Sequence, residues 1–290
     1  MRSKTIGSLC FDAGIYLFLT AMGLITLLPF ANVLSKSVSE EWAITSGKVG
    51  IFPVGFQLDT MKFVVTSSQF LHSLLISVIV TLVGTLLSLL ITAMTAYPLS
   101  KRELPGSGIL IVMFIFTMMF SGGIIPNYLL IRQLGLINHL GSLILPALIN
   151  VFNMLVIKSY FESLPESLEE SAKLEGARNY TILFRIILPL SAPVLATIGL
   201  FYAVSFWNDY FNPMLYINSS NLKPLQLYLQ DIVMNADSSS LNRSADDLMN
   251  VPAEGVRAAT VIASTVPILL VYPFLQKYFI KGVLIGSVKG

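Results

Sequence analysis

The chain has 290 residues, of which 54% are hydrophobic and only 12% charged, whereas a soluble domain carries about 25% charged residues. So little polar surface cannot cover a water-exposed globule of this length, which excludes an ordinary soluble fold. A net charge of +2 without a basic run excludes nucleic acid as a partner, and one cysteine, Cys10, allows no internal disulfide.

A helix needs about 20 apolar residues to cross the hydrocarbon layer. Six long windows free of Asp, Glu, Lys and Arg occur, at 13–35, 73–100, 104–131, 140–157, 186–208 and 258–276. Each is rich in Leu, Ile, Val, Phe and Met, and each predicts a membrane helix. The first follows Arg2 and Lys4, as a signal peptide would. Its apolar stretch exceeds a signal core and five more windows follow, so it is expected to be a retained helix.

Basic residues set the orientation. With the N-terminus inside, the cytoplasmic segments hold Arg2, Lys4, Lys101, Arg102, Lys158, Lys173, Arg178, Arg185, Lys277, Lys281 and Lys289, eleven of the 18. The expectation is an all-α polytopic membrane protein of six transmembrane helices, both termini in the cytoplasm, forming a single domain over 1–290. In the second window Gly84, Ser88 and Thr92 recur four apart, a spacing that lets helices approach closely.

The spans lack charge altogether. Ion-coupled carriers bury a carboxylate or a base to move the ion; here the interior polar groups are Asn127, Asn150, Asn153, Trp207 and Asn208. Asn153, Trp207 and Asn208 are the candidates for a substrate pathway, because aromatic faces stack on sugars and amides bond hydroxyls. No phosphate-binding loop, H-E-x-x-H or G-x-S-x-G pattern occurs, so no catalytic residue and no metal site is expected, and the chain is not expected to hydrolyse ATP itself. The competing classes are an ion-coupled secondary carrier or channel, which the charge-free spans disfavour, and a membrane enzyme, for which no constellation exists.

Between the fourth and fifth windows runs a cytoplasmic loop, 159–187. Ser163 is a plausible N-cap, Pro165 suits a first turn, and Glu166, Glu169 and Glu170 complement a positive helix end. Glu169 can pair with Lys173, and Gly176 is a natural stop. The result is a helix over 166–176 with Leu164, Leu168 and Ala172 along one side. It is too short to stand alone and must pack on its own bundle or on a soluble partner.

Glu170-Ser171-Ala172 followed by Gly176, then Phe184, Ile187 and Leu188-Pro189-Leu190, resembles the E-A-A-x-x-x-G signature of binding-protein-dependent ABC importer permeases. Ser171 stands where Ala is common, and Glu175 where Asp is commoner. The stretches 120–128, 201–208 and 224–229 resemble the carbohydrate-uptake branch, and within it the permeases for complex oligo- and polysaccharide fragments of the lipoprotein-associated type. The resemblance implies the type I ABC importer permease fold in the bacterial cytoplasmic (inner) membrane. It also implies that the short helix docks on an ATPase through Glu170, Ser171, Ala172, Glu175, Gly176 and Ala177. The C-terminal run 281–290 resembles the tail of the maltose-type second permease, which reaches between the ATPase subunits; Gly286, Ser287 and Lys289 would do so here. The implied partners are a second permease, two ATP-binding subunits carrying ATP and Mg, a solute-binding protein outside and a saccharide, with no cofactor on this chain. The outer loop 212–257, with a short helix near 225–233, would face the binding protein.

Overall fold

The structure is a computed structural model that describes residues 6–101, 103–235 and 254–270. Among these the regular elements are helical, and the nearest approach to a sheet is a single antiparallel bridge between Ser39 and Phe56. The described residues fall into two compact units, one within 1–70 and 229–267, the other within 71–228 and 268–290.

The first unit holds α1 (Ile6–Ser37), α2 (Glu41–Thr45), α3 (Asp59–Thr66) and most of a helix over 254–270, up to residue 267. Residues 13–30 of α1 are exposed throughout, as a helix facing lipid or another chain requires. Its C-terminal end is tied down by polar contacts. Asn32 donates to the carbonyl of Gly50 at 2.8 Å, Ser35 donates to that of Ile51, and Lys36 pairs with Glu254. Ala43, Ile44 and Val49 form a small core beneath the connection from α1 to α3.

The second unit begins in α4 (Ser68–Leu99) and continues through α5 (Ser107–Met119), α6 (Ile124–Gln133), α7 (Gly141–Ala147) and α8 (Val151–Glu162). After these come α9 (Ser167–Leu174), α10 (Asn179–Leu190), α11 (Ala192–Asn208), α12 (Phe211–Tyr216) and the start of α13 (Leu225–Asn235), whose residues from 229 on belong to the first unit. The last of these matches the short helix expected in the outer loop. The core of the unit runs along α4, α8 and α11, with Met154, Ile157 and Ile198 wholly buried. The expected close approach of α4 is met at Gly84, where a Cβ would lie 2.8 Å from the Phe206 ring, and at Gly199, which faces Leu89.

Three charge-free windows are bent instead of straight. Helices α5 and α6 meet at 111°, α7 and α8 at 48°, and α10 and α11 at 83°. By length and composition, two described helices can cross a membrane, or up to five if each bent pair is one span. The first break lies at Gly123, whose φ of 87° only glycine adopts readily. Helix α5, with 13 residues, is about 20 Å long, shorter than the hydrocarbon layer of about 30 Å. The third break follows a π-turn at Leu183–Ile187. Pro189 has no N–H for the carbonyl four residues back, and the Leu188 N–H reaches Leu183.

The second break is satisfied from a distance. Asn150 caps α8, accepting from the Asn153 N–H at 3.1 Å, and its own N–H donates to the Tyr202 hydroxyl at 2.9 Å. That hydroxyl also lies 2.7 Å from Thr92 Oγ1. One phenol thus joins α4, α8 and α11, meeting the polar groups that a broken helix frees within a bundle. Tyr202→Phe is expected to destabilise the protein by about 1–2 kcal/mol, the cost of taking a partner from the buried Thr92 hydroxyl and from the part-buried Asn150 N–H. A lowered thermal midpoint of the detergent-purified protein checks this; an unchanged midpoint contradicts it.

Candidate functional site

Helix α9 is the local structure on which the docking expectation rests. Its C-terminus forms as expected. Gly176 takes a φ of 82°, the Gly176 N–H donates to Lys173 O at 3.0 Å, and the Ala177 N–H donates to Ala172 O at 2.9 Å. These two bonds make a Schellman stop, with Ala177 folded back toward Ala172.

The N-terminus differs from expectation. Ser163 ends α8 instead of capping α9, and its hydroxyl donates to Tyr160 O at 2.7 Å. The chain then turns tightly, with the Leu168 N–H on Pro165 O, and α9 starts at Ser167 after Glu166, with no side-chain cap. The helix has eight residues in place of the longer 166–176 segment. Glu162 is drawn to Lys158 at 2.6 Å, one turn back on α8.

The expected side of Leu164, Leu168 and Ala172 is formed only in part. Ala172 is buried and Leu164 half-buried against the core, while Leu168 is exposed. Within α9 the only buried residue is therefore an alanine, whose methyl contributes on the order of 1 kcal/mol. Glu169 does not form the expected pair with Lys173; it pairs with Lys101, just beyond the end of α4. The two side chains are only 12% and 31% exposed. The Lys101 ammonium also sits 4.6 Å from the centre of the Tyr97 ring, a cation–π contact. Two cavities, of about 480 and 540 Å³, share Lys101, Glu103, Glu169 and Lys173 in their walls. Sequence reasoning missed Tyr97 and Lys101. The available signal was a lysine placed directly after a charge-free span.

The remaining docking candidates, Glu170, Ser171, Glu175 and Gly176, are exposed and Ala177 is half-buried. Beside them Leu174 is 90% exposed, a large apolar side chain held in solvent on a helix that otherwise carries charge. The tail candidates Gly286, Ser287 and Lys289 lie outside the described residues, as do 236–253 of the outer loop.

The pathway candidates occupy three different environments. Asn153 is buried in the first turn of α8. Asn208 is exposed and donates to Val204 O at 3.0 Å. Trp207 is half-buried, and its indole N–H is enclosed without a hydrogen-bond partner. No hydrogen bond joins the three side chains to one another among the described residues. His72 lies 2.8 Å from Asn221 O, His139 accepts from the Gly141 N–H, and no group of three potential metal ligands occurs among the described residues.

Comparison with known proteins identifies the family. Residues 82–285 match the family model described as "Binding-protein-dependent transport system inner membrane component". The chain is 46% identical over 282 residues to Protein LplC of Bacillus subtilis, covering 97% of this chain and 95% of that one. It is 42% identical to the polygalacturonan/rhamnogalacturonan transport system permease protein YtcP of the same organism, over 97% of this chain and 98% of that one. Among solved structures it resembles a chain of a bacterial ABC transporter involved in the import of the acidic polysaccharide alginate. The TM-score is 0.89 and the identity 32%, covering 96% of this chain and all of the other. With the family model spanning most of its length and relatives this similar, the chain belongs to the binding-protein-dependent transport system inner membrane components, and is a non-catalytic permease subunit of an ABC importer.

Proposed function

We propose that this permease admits oligosaccharides or polysaccharide fragments, acidic ones first among them, and that α9 is the element through which ATP hydrolysis on partner subunits drives the change in access. The observation that carries the coupling reading is the form of α9. It is a short helix seated by one buried alanine and by Glu169, which meets both Lys101 and the Tyr97 hydroxyl, and it is ended by a glycine stop, with Leu174 and Glu170 presented outward. A helix so weakly packed on its own chain is completed by a second surface. The cargo reading rests on the relatives: polygalacturonan and rhamnogalacturonan for one, alginate for the solved importer.

In this reading the chain crosses the membrane six times with both termini in the cytoplasm, each bent pair serving as one span. It works with a second permease, two ATP-binding subunits that hold ATP and Mg, and an external solute-binding protein. The tail at Gly286, Ser287 and Lys289 reaches the ATPases. Of the pathway candidates, Trp207 is favoured, because its indole N–H has no partner among the described residues and would donate to a sugar hydroxyl once a change in access uncovers it.

The test is ATPase activity of the complete complex in lipid nanodiscs, with binding protein and defined sugars. Oligogalacturonates or oligomannuronates are expected to stimulate hydrolysis several-fold over neutral oligosaccharides of equal length. Alanine at Asn153, Trp207 and Asn208 together should abolish most of that stimulation. Equal stimulation by neutral sugars refutes the acidic cargo, and unchanged stimulation in the triple variant refutes the pathway.

A further inference from the structure

We propose that the Lys101–Glu169 ion pair is the strut that fixes α9 to the end of α4, which makes Lys101 and Glu169 positioning residues for coupled transport. The proposal rests on the reading of α9 as the coupling helix and adds the residues that hold it at its working angle.

A helix that transmits a displacement must be fixed in position and also against rotation about its seat. Within α9 only Ala172 is buried, with Leu164 and Ala177 packed at its two flanks, and a helix seated by one small side chain is poorly held against rotation about its own axis. Glu169 lies three residues earlier on the same face, so its bond to Lys101 gives the second point. The line through both points defines the angle of α9 against α4. The geometry of the lysine supports the assignment. Its ammonium is held between the Glu169 carboxylate and the face of the Tyr97 ring, so it is positioned from α4 as well as from α9. The pair is also partly withdrawn from water, with Glu169 at 12% exposure, so it is screened less than a surface pair. Other charges face the larger of the two cavities, namely Glu103, Glu162, Glu166, Glu170 and Lys173. Of these only Lys173 is cationic, and the Glu169 carboxylate is engaged with Lys101 instead.

Losing one partner strands a partly buried charge and releases the pivot, whereas exchanging the two signs retains the strut. The experiment uses the full complex in nanodiscs with ATPase, second permease and binding protein. Lys101→Met and Glu169→Gln are each expected to keep the ATPase in the purified complex but to lower sugar-stimulated hydrolysis about ten-fold, with uptake falling in step. The exchange Lys101→Glu with Glu169→Lys should restore at least a third of the stimulated rate. Recovery is incomplete because a lysine at 169 stands four residues before Lys173. Full stimulation in both single variants overturns the strut, and so does an exchange variant no better than the singles. Loss of the ATPase from the single variants also overturns it, since the pair would then serve docking or folding instead of transmission. Gly176→Asp in the same preparation separates the two claims: if it too keeps the ATPase and full stimulation, the coupling reading of α9 itself has failed, whereas a defect at Gly176 beside intact Lys101 and Glu169 variants removes only the strut.

Discussion

Replacing Gly176 with aspartate is expected to separate this permease from its ATPase and to cut sugar uptake by about 30-fold or more, the equivalent of losing about 2 kcal/mol at an interface hot spot. The reasoning depends on what the substitution does not disturb. A Cβ built on Gly176 meets no atom of the described residues within 4 Å, so there is room for a side chain there. The φ of 82° does penalise one, by about 1–2 kcal/mol for most residues, with Asn and Asp the best tolerated. Gly176→Asn is therefore the control. It keeps a residue that accepts the left-handed conformation at a helix stop and adds nearly the same bulk without charge. Both variants should purify with near wild-type thermal midpoints. The aspartate should lose the ATPase in pull-down, because it adds charge at the exposed end of α9 where Leu174 and Glu175 already project. If the aspartate variant retains its ATPase and its uptake, docking does not run through this end of α9.

The second large effect belongs to the core. Gly84→Val is expected to destabilise the protein by about 1–3 kcal/mol through overpacking, seen as a lower unfolding midpoint and poorer yield. A Cβ at Gly84 would stand 2.8 Å from Cε2 and Cζ of Phe206, and that ring, 8% exposed, is packed within the core and has little room to swing away. The contact predicts strong non-additivity: Gly84→Ala combined with Phe206→Ala should be more stable than the sum of the single changes, by about 1 kcal/mol. Gly199→Ala is the graded comparison. There a Cβ meets the tip of Leu89 at 3.0 Å, a flexible end that can turn aside, so a smaller loss is expected. Additive behaviour at Gly84 and Phe206 contradicts the close approach of α4 and α11.

The membrane segments were legible because charge is so costly in hydrocarbon that a long run without it marks a stretch built for lipid. The directions of those segments were not. A charge-free window records the absence of charge alone, and the turns at Gly123 and Ser191 sit inside such windows with no charged residue to mark them. The stop of α9 was readable, since glycine at a helix end has a conformational reason. Its start was not, because Ser163 had two carbonyl- or amide-rich neighbourhoods to choose from and took the α8 side. Glu169 shows the same limit in another form. A local rule offers it Lys173, one turn away, whereas the partner it meets lies 68 residues earlier in the chain. Thr92 and Tyr202 are 110 residues apart, and their shared hydroxyl contact is likewise invisible to any periodicity.

The phenol of Tyr202 has a mechanical consequence. Because it engages Thr92 on α4 and the Asn150 amide at the start of α8 while rooted in α11, sliding any one of these helices past the other two would break a hydrogen bond, the one to Thr92 being buried. The three are therefore expected to move as one body, and α9, which follows α8 and is tethered to the end of α4, is attached to that body at both places. Compliance is left to the places where the helices are interrupted, at Gly123 and at Ser191, where turning requires no buried hydrogen bond of the Tyr202 hub to be given up.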